Sequence, residues 1–177
     1  MRKNLNLSLL LMSVLFLAGC TMVPENVTPV RDFDANRYLG KWYEIARFDF
    51  FFEKGLNNVT AEYSLNEDGT VRVVNRGYRY EKQKWKEAVG KAKFRESPQV
   101  GALKVSFFGP FYAGYNVIAV ENDYSYALVC GKNDDYLWIL GRTPQIPEEV
   151  KTRYLEIATG LGFDISRLIW VDHTLSE

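Results

Sequence analysis

Between Lys41 and Arg142 the chain breaks into about eight short runs of alternating apolar and polar residues, each bounded by turn-forming residues. The runs fall near 41–49, 59–65, 70–78, 85–94, 102–108, 114–121, 126–131 and 136–142. Strands this short and this evenly spaced pair with their neighbours in sequence. They favour a meander that closes on itself, because closure removes the unpaired edges. Asn66-Glu67-Asp68-Gly69 is the clearest hairpin turn. Ahead of the first run, the stretch from Asp32 to Leu39 offers Asp and Asn caps around a short helical turn. After the last run, Pro147-Glu148-Glu149-Val150 opens a helix, with proline in its first turn and acids at its positive end. Val150, Tyr154, Ile157, Ala158 and Leu161 form one apolar stripe on it. Gly160 and Gly162 end the helix, and residues 167–171 read as a last short strand.

Two residues say how such a sheet closes. Trp42 opens the first strand and Arg142 ends the eighth, so rolling the sheet up brings them together. A guanidinium over an indole face is a favourable contact, and it would plug one end of a barrel. Gly40-Lys41-Trp42 near the N-terminus, Asp135-Tyr136, and the lone Arg142 after the last strand match motifs of the lipocalins. Over residues 31–171 the chain resembles that family, in particular the bacterial outer-membrane lipoprotein lipocalins. The resemblance implies an all-β fold: an eight-stranded antiparallel up-and-down β-barrel with a C-terminal α-helix packed outside. Gly40, Trp42 and Arg142 would be its structural closure.

The N-terminus carries a targeting signal. Arg2 and Lys3 precede the apolar run Leu9 to Leu17, which is too short to span a bilayer. Leu17-Ala18-Gly19-Cys20 resembles the lipobox of bacterial lipoproteins. That resemblance implies a signal peptide over 1–19 and a mature chain beginning at an acylated Cys20, a diacylglyceryl cysteine further carrying a fatty acid such as palmitate. Thr21 rather than Asp follows it, which by the same analogy favours the outer membrane. Residues 20–30 include Pro24 and Pro29 and lack apolar periodicity, so they read as a lipidated tether. The barrel domain is expected over 31–177. Cys130 is the other cysteine, so once Cys20 is acylated no disulfide can form within the chain.

Side chains alternate across a strand, and polar residues set the phase. If Arg142 points inward to meet Trp42, then Leu140, Trp138 and Tyr136 also face the interior. Leu137, Ile139, Leu128 and Cys130 then lie outside, where only the amphipathic helix can cover them. Cys130 becomes a packing residue rather than a nucleophile. The same argument sends Val59, Ala61, Tyr63 and Leu65 inward, with Val71, Val73 and Asn75, then Ala88, Gly90, Ala92 and Phe94. Leu103, Val105 and Phe107 follow, and Tyr115, Val117 and Ala119. The lumen is therefore apolar and aromatic, with small residues that leave room, and Tyr63, Asn75, Phe94, Val105, Phe107, Tyr115 and Trp138 are the expected ligand-binding set. Glu44, if inward, would have a carboxyl raised by burial.

The loops opposite Trp42 and Arg142 are unusually apolar. Phe51 and Phe52 lie in one, Phe111 and Tyr112 in another, with Arg79, Lys82 and Lys84 nearby. Such a rim suits contact with a membrane, a lid over the lumen, or a homodimer. With 22 basic and 22 acidic residues the chain lacks the basic footprint of a nucleic-acid binder. Its one histidine, His173, lies near a terminus that would be expected to fray. No grouping of residues has metal-ligand spacing, and no catalytic residue, metal or cofactor is expected. The function expected is binding of fatty acids or lysophospholipids in the lumen, for lipid storage or transport in the cell envelope. The alternative is an envelope lipoprotein whose aromatic rim binds a protein partner.

Overall fold

A computed structural model describes residues 22–175. The signal peptide and Cys20 lie outside the described residues. Eight strands run in sequence order: β1 (Gly40–Phe48), β2 (Leu56–Leu65), β3 (Val71–Arg79), β4 (Lys84–Phe94), β5 (Ala102–Phe108), β6 (Phe111–Val120), β7 (Tyr126–Cys130) and β8 (Leu137–Gly141). Each pairs antiparallel with the next, and β1 pairs with both β2 and β8, so the sheet closes into a barrel. The runs expected at 59–65 and 114–121 each begin three residues earlier, at Leu56 and Phe111. A ninth strand, β9 (Leu168–Trp170), adds to β1 opposite β8, where β1 and β2 diverge. The chain beyond it is pinned there by Asn58 N–H to the Asp172 carbonyl at 2.7 Å and by Leu175 N–H to Asn58 Oδ1 at 2.9 Å.

The barrel has a closed base. Helix α1 (Ala35–Tyr38) crosses it, capped by Asp34, whose Oδ1 accepts from the N–H groups of Asn36 and Arg37. The Arg142 guanidinium lies 3.8 Å from the centroid of the Trp42 ring. It also donates to four carbonyls: Lys41 at 2.8 Å, Arg37 at 2.7 Å, Leu39 at 2.9 Å and Tyr124 at 3.3 Å. The indole N–H in turn reaches the Tyr38 carbonyl at 2.8 Å. Gly40 is needed here, since its φ of +91° is one that side chains rarely adopt.

Two apolar clusters follow from the alternation of faces. The interior one holds Trp42, Tyr63, Val71, Val73, Ala92, Leu103, Val117 and Val129. The exterior one sits under helix α2 (Glu148–Gly160), where Val150, Tyr154 and Ala158 cover Leu128, Cys130, Leu137 and Ile139. Pro147 is the residue before the helix rather than within its first turn. Two of the four register shifts bear on this division of faces. One, between Val117 and Ala119, turns Ala119 outward toward the helix, correcting its inward assignment. The other, between Glu44 and Ala46, puts Ile45 and Ala46 together in the exterior cluster and turns Arg47 into the wall. Leu65, expected inside, is 56% exposed because β2 runs past the base at that point.

Residues 22–30 pack on the barrel wall rather than extending from it. Val27 is buried, Val30 N–H bonds the Val117 carbonyl at 2.9 Å, and Gly101 N–H bonds the Val30 carbonyl at 2.9 Å.

Arg142 joins α1, β1 and the turn before β7 through its fork of donors, which an ammonium cannot reproduce. Arg142→Lys should therefore lower the free energy of unfolding by about 2–4 kcal/mol in urea titration, through carbonyls left without donors. A loss below about 1 kcal/mol would contradict this account of the base.

Candidate functional site

Above the closed base the barrel encloses a cavity of about 730 Å³, within the range of sites that hold a small organic ligand. Its walls are mostly apolar. Tyr63, Asn75, Phe94, Val105, Phe107, Tyr115 and Trp138 all line it, as do Val59, Ala61, Ala88 and Ala92. The small residues of β2 and β4 face ring-bearing residues of β5, β6 and β8, which leaves the space unfilled. Gly90 is the exception, because Phe107 packs over it and a Cβ there would sit 2.8 Å from that ring.

The polar groups of the lumen are few and grouped. At the bottom the Tyr115 hydroxyl lies 2.7 Å from that of Tyr38 and 2.9 Å from that of Tyr63. Burial raises all three phenols above their ordinary range, so they are neutral hydroxyls. Asn75 Oδ1 is buried in the wall without a hydrogen-bond partner.

Nearer the mouth lies a charged cluster that strand parity does not reveal. Arg47 donates to Glu44 Oε1 at 2.7 Å and to the carbonyls of Glu53 at 2.9 Å and Leu56 at 3.1 Å. Its Nε is 3.8 Å from Glu53 Oε2, which also accepts from the Trp138 indole at 3.2 Å. Glu44 and Glu53 both line the cavity. Burial pushes the Glu44 carboxyl well above its ordinary range and the charge of Glu53 adds to this, against the pull of Arg47. Burial raises Glu53 as well, opposed by Arg47 and the indole hydrogen bond.

The mouth is ringed by aromatic residues. Phe50 turns inward, edge-on to Tyr136 and Trp138 with centroids 5.4 Å away in each case. Phe51, Phe52, Phe108 and Phe111 point outward and are 84%, 53%, 66% and 79% exposed. Phe52 stacks on Phe108 across the opening at 6.1 Å. Tyr112 lies on the same rim, with Lys104 over its ring at 5.3 Å. The cations that line the mouth are Arg76, Lys86 and Lys132, and Arg79, Lys82 and Lys84 lie in the β3–β4 hairpin at the same end, beside the loop before β2.

Two further expectations meet the structure differently. Cys130 faces the helix as expected, and burial pushes its thiol up to about 12. His173 is not frayed: its Nε2 lies 2.8 Å from the Glu44 carbonyl oxygen and its ring sits edge-on to Tyr43.

The Glu44 carboxyl keeps its proton to higher pH in the folded chain than in the unfolded one. The folded state therefore binds more protons between the ordinary glutamate value and the raised one, and stability falls as pH rises through that window. Glu44→Gln cannot lose that proton. Its urea midpoint, relative to that of the unmodified chain, should climb as pH rises above the ordinary glutamate range. A pH-independent difference would refute the assignment.

The geometry can be set against known proteins. Residues 33–173 match the family model of the Lipocalin-like domain. Outer membrane lipoprotein Blc of Escherichia coli K12 is 59% identical over 148 residues, 84% of each chain. Its namesake in Vibrio cholerae is 53% identical over 164 residues, covering 92% of this chain and 95% of that one. Apolipoprotein D of Rattus norvegicus is 37% identical over 153 residues, 81% of this chain and 79% of that protein. Among solved structures, insecticyanin of the tobacco hornworm superposes with a TM-score of 0.69 at 23% identity, covering 88% and 87% of the two chains. The cavity, the arginine-sealed base and these likenesses agree: the chain belongs to the lipocalin family.

Proposed function

We propose that this protein binds fatty acids or lysophospholipids in its lumen and stores or carries them in the cell envelope. The chain is an outer-membrane, lipid-anchored protein, as are the relatives named outer membrane lipoprotein at 53–59% identity. Cys20 is the residue we assign as the acyl carrier.

One observation supports the ligand class above all others. The cavity is closed by Trp42 and Arg142 at one end and open at the other, and its walls are apolar over most of their height. A single acyl chain fits that shape, since burying its methylenes contributes about 0.8 kcal/mol each. The Tyr38, Tyr63 and Tyr115 hydroxyls at the bottom satisfy one another and ask nothing of the ligand. The polar head would rest at the mouth, where Arg76, Lys86 and Lys132 offer positive charge to a carboxylate or phosphate. Binding uses no nucleophile. Among the described residues, no group of three or more His, Cys, Asp or Glu could hold a metal ion.

A delipidated sample titrated with a fluorescent fatty acid should show saturable binding. Ala88 lines the middle of the cavity, so Ala88→Trp fills it from the wall. That variant should weaken fatty-acid affinity at least tenfold, about 1.4 kcal/mol, with its thermal midpoint little changed. Absence of saturable binding to the unmodified chain would leave the rim-bound protein partner as the better reading, to which the exposed Phe51 and Phe111 would then belong.

A further inference from the structure

The segment from Met22 to Phe33 runs down the outside of the barrel from mouth to base. At the base, Phe33 N–H bonds the Gln99 carbonyl at 2.9 Å and Arg31 bridges Val100. Midway, Val30 is held between Gly101 and Val117, and Val27 is buried beside the end of α2, where the Asn26 side chain bonds the Leu161 carbonyl. At the top, Asn116 Nδ2 donates to the Met22 carbonyl at 2.8 Å and to that of Gly131 at 2.9 Å. The Met22 backbone lies so close on Gly114 that any side chain there would collide with it. Gly114 is three residues below Phe111, where β6 begins at the rim. Gly131 and Lys132 line the mouth of the cavity.

Docking shortens the leash. A free segment of ten residues would reach about 35 Å and leave the barrel free to tumble on its anchor. Only Thr21 separates Met22 from Cys20, and two residues reach at most about 7 Å. The eleven residues of β4 run about 36 Å along the barrel wall. A lipid on Cys20 therefore enters the membrane beside the rim, and the base stands beyond its reach. The mouth is also where the apolar surface lies exposed, at Phe51, Phe52, Phe108 and Phe111.

We propose that the docked N-terminal segment delivers the Cys20 anchor to the rim, so that the barrel stands mouth-down on the leaflet that holds it and its phenylalanines rest among the headgroups. An amphiphile then passes between leaflet and lumen without crossing bulk water. This rests on the lipid-binding reading and on Cys20 as the acylated residue, and it adds orientation and source: the ligand comes from the anchoring membrane itself.

The acylated full chain in phosphatidylethanolamine/phosphatidylglycerol vesicles containing doxyl-labelled lipid provides the test. A fluorophore goes on Phe111→Cys at the rim or on Glu67→Cys at the base, Cys130 being too buried to react. The rim probe should be quenched at least twofold and the base probe left untouched. A flexible insertion of about twenty residues after Thr21, which frees the anchor from the rim, should weaken rim quenching. Quenching at the base, at neither position, or at the rim unchanged by the insertion would overturn the proposal. The soluble Cys20→Ser chain titrated with fluorescent fatty acid separates the two readings: saturable binding there with no rim quenching sinks the orientation alone, and no binding sinks the lumen reading beneath it.

Discussion

The contact between Arg142 and Trp42 is the constraint from which the rest of the barrel takes its shape. A sheet that closes must bring its first and last strands together at one register, and here the guanidinium fixes that register by joining the end of β8 to four carbonyls, three on residues 37–41 and one on Tyr124. Stacking on the indole buries the flat face of the cation while its edge remains free to donate. The interaction seals one end without filling the interior. With α1 and Trp42 bearing the load at the base, the residues above can be small. Ala61, Ala88 and Ala92 would leave destabilising voids in an ordinary core; here they set the width of a binding chamber.

Most of that chamber could be read from strand parity because the polar residues punctuate the strands cleanly. Lys91 and Lys93 fix the phase of β4, and Arg142 fixes that of β8, so the seven cavity-lining residues from Tyr63 to Trp138 follow by alternation. Parity failed where the backbone inserts a residue. The bulge between Glu44 and Ala46 hides Arg47 from such reasoning, since by alternation from Trp42 it should face water. The bulge in β6 misplaces Ala119 in the same way. Neither bulge is marked by a glycine, so no local signal announces it. Glu53 was missed for another reason: a loop residue has no period, and its burial depends on Arg47 being where it is. The apolar chamber was therefore legible, and its charged collar was not.

The tether shows the same limit from the opposite side. Two prolines and no apolar period gave residues 20–30 the look of a free linker. Yet Val27 inserts beside α2, the Val30 side chain lies over Gly101, and the Met22 backbone lies on Gly114. Close approach of backbone to backbone leaves its trace in the glycines of the receiving strand, not in the segment that docks. Composition describes a segment's own preferences; the surface that captures it is written elsewhere in the chain.

The charged collar makes physical sense once the chamber is taken as a lipid site. Two carboxylates and one guanidinium buried together would leave a net negative charge beside an apolar lumen, at a desolvation cost of several kcal/mol per uncompensated ion. Raising both carboxyls lets the group hold an extra proton, so Glu44, Arg47 and Glu53 together approach neutrality. Arg47 also gathers the carbonyls of Glu53 and Leu56, which ties the loop bearing Phe50, Phe51 and Phe52 to β1. The same cation thus brings the wall toward neutrality and holds the aromatic rim in position. A larger apolar residue at that place could do the first, but it would leave those two carbonyls without a donor and the loop without its hinge to the barrel.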